Sequence, residues 1–173
     1  VLNRFESESS EKLGRIENEI EGVGHVPRSE TNRILEAIQD PDDFDDIILK
    51  GEGGVGKSGI LKRVSEISEY DSLFIDVSSY SIIRSESDLA EELGLEVSLE
   101  RCILQIAANR PFIVIIDQLD DTNRVSGEIY KNLILEVAQM NCVSTIFACR
   151  TYDLDHYNEF VTLSNSEHFD DII

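Results

Sequence analysis

The chain has little positive charge and no long apolar run. Its 173 residues contain 35 Asp and Glu against 15 Lys and Arg, which gives a formal net charge of −20. This acid excess opposes attraction to nucleic-acid phosphates, so we expect no direct nucleic-acid binding by this domain. No apolar run approaches the roughly 18 residues that a membrane span requires, so we expect no membrane insertion.

Cysteine and histidine are also scarce. The three cysteines (Cys102, Cys142 and Cys149) are odd in number and lack C-x-x-C spacing, which argues against a disulfide framework or a zinc site. All three lie in apolar stretches, so we expect buried thiols and a cytoplasmic protein. The three histidines are scattered and indicate no set of metal ligands.

What remains is the composition of a globular domain, with 41% hydrophobic and 29% charged residues. The chain begins at Val1 rather than at methionine, so we expect it to be part of a longer protein. Residues 9–21 are highly charged but carry Leu13, Ile16 and Ile20 at helical spacing, which predicts a helix. We assign residues 1–22 to a helical linker from an upstream region.

A glycine-rich loop is the most informative motif. Residues 51–58 read Gly-Glu-Gly-Gly-Val-Gly-Lys-Ser and fit the pattern G-x-x-x-x-G-K-[ST]. An apolar run precedes the loop and a helical pattern follows it, which is the context that a phosphate-binding loop requires. In such a loop, backbone N–H groups surround the phosphates. Lys57 would reach the β- and γ-phosphates and Ser58 would ligate Mg²⁺.

Strands and helices alternate after this loop. We predict strands at 46–50, 73–77, 112–116 and 143–149 and a weak fifth strand at 160–163, with a final helix capped by Ser166. The unbroken apolarity of 112–116 is typical of a strand buried on both faces of a parallel sheet. The alternation predicts an α/β fold, a three-layer sandwich with a five-stranded parallel sheet, over residues 23–173.

Acidic residues end the third predicted strand. Asp117 follows four apolar residues and is expected to bind Mg²⁺ beside Ser58, often through water. Asp120 and Asp121 are candidates for orienting the water that attacks the γ-phosphate. The alternative is a solvated loop that caps the next helix.

Two arginines are further candidates for the site. Arg150 ends the fourth predicted strand, and if that strand lies between the first and third, Arg150 would emerge near the γ-phosphate. Otherwise it is a surface arginine. Arg28 precedes a helix for which Ser29 is the predicted N-cap, and its position alone assigns it no function.

These residues resemble the STAND branch of P-loop NTPases, the signal-transduction ATPases of the NACHT and NB-ARC types. The resemblance covers roughly residues 23–165. It depends on Val26-Pro27-Arg28, the phosphate loop, the acidic segment 115–121, and the segment 147–154 around Arg150. Where NACHT proteins usually have a small residue this chain has Gln118, and where they often have Glu it has Asp121.

The resemblance implies an AAA+/STAND-like sandwich that binds ATP or ADP with Mg²⁺. It implies contacts from Arg28 to the base or ribose side and a sensor role for Arg150. The nucleotide contacts would come from Arg28, Gly51, Gly53, Gly54, Val55, Gly56, Lys57, Ser58 and Gly59.

The function implied is a regulated switch with slow ATP hydrolysis. ATP binding would drive homo-oligomerisation and activate an effector, as in innate-immune receptors or bacterial antiphage sensors. Effector and sensor domains, the helical lid and the winged helix would lie outside this chain. Arg124 is a candidate contact to a neighbouring subunit, against the simpler interpretation of an exposed arginine at a helix start.

Two alternatives stay open. The first is a non-catalytic nucleotide-binding module, favoured by Gln118, because AAA+ ATPases usually place a catalytic Glu there. The second is a small-molecule kinase, disfavoured because the arginines after the phosphate loop do not cluster. A guanine-specific GTPase would need an N-K-x-D motif, which the chain lacks.

Overall fold

The structure is a computed structural model. It describes residues 13–14, 19–20, 24–25, 28–40, 44–80, 82–156, 158–164 and 169–172. Among these residues, no helix has the length and apolarity needed to cross a membrane.

Five parallel strands form the central sheet: β1 (Asp46–Lys50), β2 (Asp71–Asp76), β3 (Phe112–Asp117), β4 (Val143–Cys149) and β5 (Phe169–Ile172). Their order across the sheet is β2-β3-β4-β1-β5, and every neighbouring pair is parallel. The α/β fold with a five-stranded parallel sheet is therefore as predicted. Because β4 lies between β1 and β3, the ends of these three strands meet beside the glycine-rich loop.

Within the described ranges, seven helices pack around the sheet: α1 (Ser29–Ala37), α2 (Lys57–Ile67), α3 (Glu86–Glu92), α4 (Leu99–Ala107), α5 (Arg124–Val137), α6 (Thr151–His156) and α7 (Asn158–Ser164). Short 3₁₀ turns follow β2 at Val77–Tyr80 and β3 at Leu119–Asp121. Both turns lie at the carboxyl edge of the sheet, where the glycine-rich loop also lies.

The unbroken apolar strands are explained by burial on both faces. In β3, Ile113 and Ile115 pack with α1 and α2, whereas Val114 and Ile116 pack with α3, α4, α5 and α7. Alternate side chains of a strand point to opposite faces, so each face needs its own apolar set. The result is the predicted three-layer sandwich.

The fifth strand is not where the sequence predicted it. Residues 160–163 lie in α7, and the strand that completes the sheet is β5. Phe160 and Leu163 are both buried in the core, which is helical spacing, so packing overrides the β-propensity of Val161 and Thr162. Ser166, the predicted cap of a final helix, lies outside the described residues.

Three smaller predictions also change. Most of the expected helix 9–21 lies outside the described residues; Leu13 is helical as expected, whereas Glu19–Ile20 pairs antiparallel with Gly24–His25 and is not helical. The N-cap of α1 is Arg28, and Ser29 is the first helical residue. Cys102 and Cys149 are buried as expected, whereas Cys142 is only half-buried, in a turn with a φ of 59°.

A buried carboxyl lies at the opposite end of β1 from the glycine-rich loop. Asp46 is 8% exposed and accepts a 2.6 Å hydrogen bond from the Thr145 backbone N–H. Burial raises the pKa of Asp46 to about 7. Between its ordinary pKa and this value, the folded state keeps the proton that the unfolded chain loses, so stability falls as pH rises through that window.

We therefore predict that Asp46→Asn removes this loss of stability. The asparagine side chain keeps an oxygen for the Thr145 N–H but does not ionise. Urea unfolding between pH 5.5 and 8 should show the variant gaining about 2 kcal/mol over wild type across that range, at ~1.4 kcal/mol per pK unit. Asp155→Asn, at an exposed position on α6, is the control, because the charge of Asp45 itself contributes to the raised pKa of Asp46. Parallel stability curves for wild type and Asp46→Asn would contradict the prediction.

Candidate functional site: a phosphate loop at the carboxyl edge of the sheet

The glycine-rich loop connects β1 directly to the start of α2. Gly56 precedes the first helical residue, Lys57, with a left-handed φ of 95°. Helix α2 is 11 residues long, and its first N–H groups have no partner within the helix. They form the kind of N-terminus at which anions bind. The loop residues Gly53, Gly54 and Val55 are exposed, whereas Lys57, Ser58 and Gly59 are half-buried.

Lys57 is directed back into the loop. Its Nζ donates hydrogen bonds to the carbonyl oxygens of Gly51 at 2.7 Å and of Glu52 at 3.0 Å. The ammonium group therefore lies within the curve of the backbone rather than in solvent. A phosphate bound in the loop would offer the same ammonium stronger, charged acceptors than these carbonyls.

Arg28 approaches the same loop from the start of α1. A Cβ at Gly56 would lie 3.3 Å from Arg28 Nη2, so the guanidinium packs against the backbone of the loop. From its position alone the sequence assigned Arg28 no function, and only the family resemblance placed it among the nucleotide contacts, because α1 must pack against α2 to bring Arg28 to Gly56. The structure thus places this arginine at the loop itself, with its side chain exposed to solvent.

Asp117 ends β3 beside the loop. It is 1% exposed, and its Oδ1 accepts a 2.9 Å hydrogen bond from the Gln118 N–H. Burial raises the pKa of Asp117, while the Ser58 hydroxyl, the Gln118 N–H and the charge of Lys57 act to lower it. Its Oδ2 is buried and has no hydrogen-bond partner among the residues that the structure describes.

An unsatisfied buried carboxylate oxygen is costly unless something binds it. Carboxylate and hydroxyl oxygens are the ligands that Mg²⁺ prefers. The open oxygen of Asp117 and the adjacent Ser58 hydroxyl therefore fit the magnesium ion that the sequence predicts. They would hold it beside the phosphates, where the ion would neutralise developing negative charge.

Arg150 follows β4 and lies over the loop. A Cβ at Gly53 would be 3.7 Å from Arg150 Nε. The same Nε forms a 2.8 Å ion pair with Asp120 Oδ2, and the Arg150 backbone N–H donates to Asp120 Oδ1 at 3.2 Å. The structure thus brings Arg150 and Asp120 together, whereas Asp121 is exposed at the end of its 3₁₀ turn.

Two acids near the site were missed by the sequence analysis. Asp76 ends β2 in register with Asp117 and accepts a 2.9 Å hydrogen bond from Gln118 Nε2. Asp153 is buried in α6, where burial and the negative charge of Asp120 raise its pKa. The signal for Asp76 was present, because it too follows an apolar run, but the pairing of β2 with β3 was needed to interpret it.

Comparison with known proteins supports the fold. No protein-family model and no curated protein matches the chain. A solved structure that matches is the Orc1 protein of Aeropyrum pernix in complex with DNA, with a TM-score of 0.57 and 18% sequence identity. The match covers 84% of this chain and 44% of the Orc1 chain. This likeness supports the α/β fold with a five-stranded parallel sheet.

We predict that Gly56→Ala disrupts the site and Gly53→Ala does not. A methyl group at position 56 meets Arg28 at 3.3 Å on a backbone with positive φ, whereas at position 53 the nearest contact is an ordinary 3.7 Å. Gly56→Ala should lower stability by about 1 kcal/mol or more and weaken nucleotide binding in calorimetry. Equal effects of the two substitutions would contradict this assignment of the loop geometry.

Proposed function

We propose that this chain is the nucleotide-binding domain of an ATP-dependent signalling NTPase. The observation that carries the proposal is the loop between β1 and α2, with Lys57 turned into it and the open Asp117 oxygen beside Ser58. Together these groups supply the backbone donors, ammonium group and metal ligands that a magnesium-bound triphosphate requires.

Three cations converge on the loop in a chain whose net charge is −20. Lys57 bonds to the loop carbonyls, Arg28 packs at Gly56 and Arg150 lies over Gly53. These three cations offset the acids around the loop and give a small anion charged partners, while the acidic remainder of the surface repels larger polyanions. The DNA bound by the Orc1 neighbour is for this reason not part of our proposal.

The proposed chemistry is hydrolysis of the β–γ phosphoanhydride bond. Lys57 and the magnesium ion would neutralise charge on the phosphates, and Arg150 would contact the γ-phosphate from β4. A carboxylate must also orient the attacking water. Of the two predicted candidates, Asp121 is exposed, whereas Asp120 is bound to Arg150, so Asp121 is the better placed to turn toward a water molecule.

Within this class, the resemblance to STAND proteins supports a switch rather than a constitutive ATPase. ATP would favour a homo-oligomer, and ADP the inactive form. The effector and sensor regions would belong to the longer protein, which we propose acts in the cytoplasm. The motifs around Arg28, Asp117 and Arg150 support this narrower assignment.

A second function is favoured by one contact. Gln118 stands where AAA+ ATPases usually carry a catalytic Glu, and its side chain donates to Asp76, away from the strand that bears the loop. With Asp120 bound to Arg150 as well, a module that binds and exchanges nucleotide without turnover is the alternative. Phosphate release that stays at the level of the Lys57→Ala variant would favour this alternative.

The first test is nucleotide binding by wild type and Lys57→Ala. Removing the ammonium group should weaken Mg-ATP binding by at least about tenfold, because a charge-assisted contact to phosphate is lost. Lys62→Ala removes the same charge from the same helix, where Lys62 pairs with Glu66 at 3.9 Å, and should leave binding unchanged. Undiminished binding by Lys57→Ala, with both variants folded by circular dichroism, would refute the site.

The second test is assembly of the full-length protein. Light scattering should show a larger species with ATP or a non-hydrolysable analogue than with ADP, and Lys57→Ala should abolish the difference. Tight binding of nucleotide with no change in size would contradict the switch but not the nucleotide site.

A further inference from the structure

The pair formed by Arg150 and Asp120 has an unusual asymmetry. The Arg150 side chain is 52% exposed, whereas that of Asp120 is 7% exposed. The Arg150 side chain therefore borders solvent into which it can turn, whereas the carboxylate is enclosed by protein. Both Asp120 oxygens face Arg150, one toward Nε and the other toward the backbone N–H.

Asp120 also has acidic surroundings. It lies close enough to Asp153 to raise the pKa of that carboxyl, and close enough to Cys149 to contribute to the raised pKa of the thiol. Glu52 in the loop adds further negative charge near Asp153, while Arg150 offsets it. The guanidinium group therefore balances the charge of this acidic group of residues.

Arg150 lies at the same time against the loop, at Gly53. A phosphate bound there presents a more highly charged acceptor, with geometry that suits a guanidinium fork. The carboxylate and the phosphate therefore compete for one arginine. If Arg150 moves to the phosphate, Asp120 is left partly buried beside Asp153, which costs free energy.

We propose that Asp120 is a counter-ion for Arg150 that competes with the terminal phosphate, and so sets the preference between ATP and ADP. This inference rests on the proposed nucleotide site. Asp120 is then a positioning residue rather than the residue that orients water. It holds Arg150 at the loop before nucleotide arrives and lowers the affinity for triphosphate, which keeps the site responsive to the ratio of ATP to ADP.

The test compares Asp120→Asn with Asp121→Asn by titration calorimetry with Mg-ATP and Mg-ADP. Each substitution removes one negative charge from the same 3₁₀ turn, so the increase in nucleotide affinity that comes from the lost charge alone is common to both variants. Asp120→Asn should raise the ATP-to-ADP affinity ratio roughly threefold to tenfold above that of Asp121→Asn, the range expected for a partly exposed ion pair. Asp120→Glu, which keeps the carboxylate, should restore the wild-type ratio.

Arg150→Gln supplies a second measurement that leaves Asp120 in place. It should lower the ratio, and adding Asp120→Asn to it should raise the ratio no more than adding Asp121→Asn does, because the competition no longer exists. Equal ratios for Asp120→Asn and Asp121→Asn would overturn the inference, as would a loss of turnover by Asp120→Asn with unchanged affinities. Those outcomes leave the nucleotide site standing, whereas absence of nucleotide binding by wild type overturns both proposals.

Discussion

The candidate site is organised around a carboxylate that is buried at the end of an otherwise apolar strand. Strand β3 is buried along its whole length and ends in Asp117, whose Oδ2 has no partner among the described residues. Such an atom costs free energy in the folded chain. An ion bound at the carboxyl edge of the sheet, where Asp117 lies, would satisfy it. There the order β2-β3-β4-β1-β5 brings it beside the loop that follows β1.

At this edge of the sheet, the polar side chains that follow Asp117 reach in two different directions. Gln118 has a left-handed φ of 59°, a conformation that costs a non-glycine residue about 1 kcal/mol. From this turn the Gln118 side chain reaches Asp76 on β2, whereas Asp120 reaches Arg150 beyond β4. Strands β2 and β4 are the two neighbours of β3. The turn that follows β3 therefore directs Gln118 toward one neighbouring strand and Asp120 toward the other.

Much of this arrangement could be predicted from sequence patterns, because strand burial and turn conformation depend on residues that are close together in the chain. Four strands were predictable from apolar runs with burial on both faces, and the loop from glycines at fixed spacing before a helix. The fifth strand was not, because residues 160–163 have the composition of a strand but bury Phe160 and Leu163 at helical spacing. Strand β5 contains acidic residues, and a 2.7 Å ion pair joins its Asp171 to Lys50 on β1. No local sequence pattern indicates this pairing.

The site shows the same division. Lys57, Ser58 and Asp117 are specified by motifs, but the partners of Arg28, Gln118 and Arg150 are set by elements distant in sequence. A motif identifies which residues are present, whereas the contacts of each side chain determine its role. Asp120 illustrates the difference, because its place in the motif indicates water activation and its ion pair with Arg150 indicates control of an arginine. Both Asp120 oxygens already accept from Arg150, so a water oriented by Asp120 would have to share an oxygen with that arginine. In our proposal, the affinity of the site for triphosphate depends on the position of that arginine.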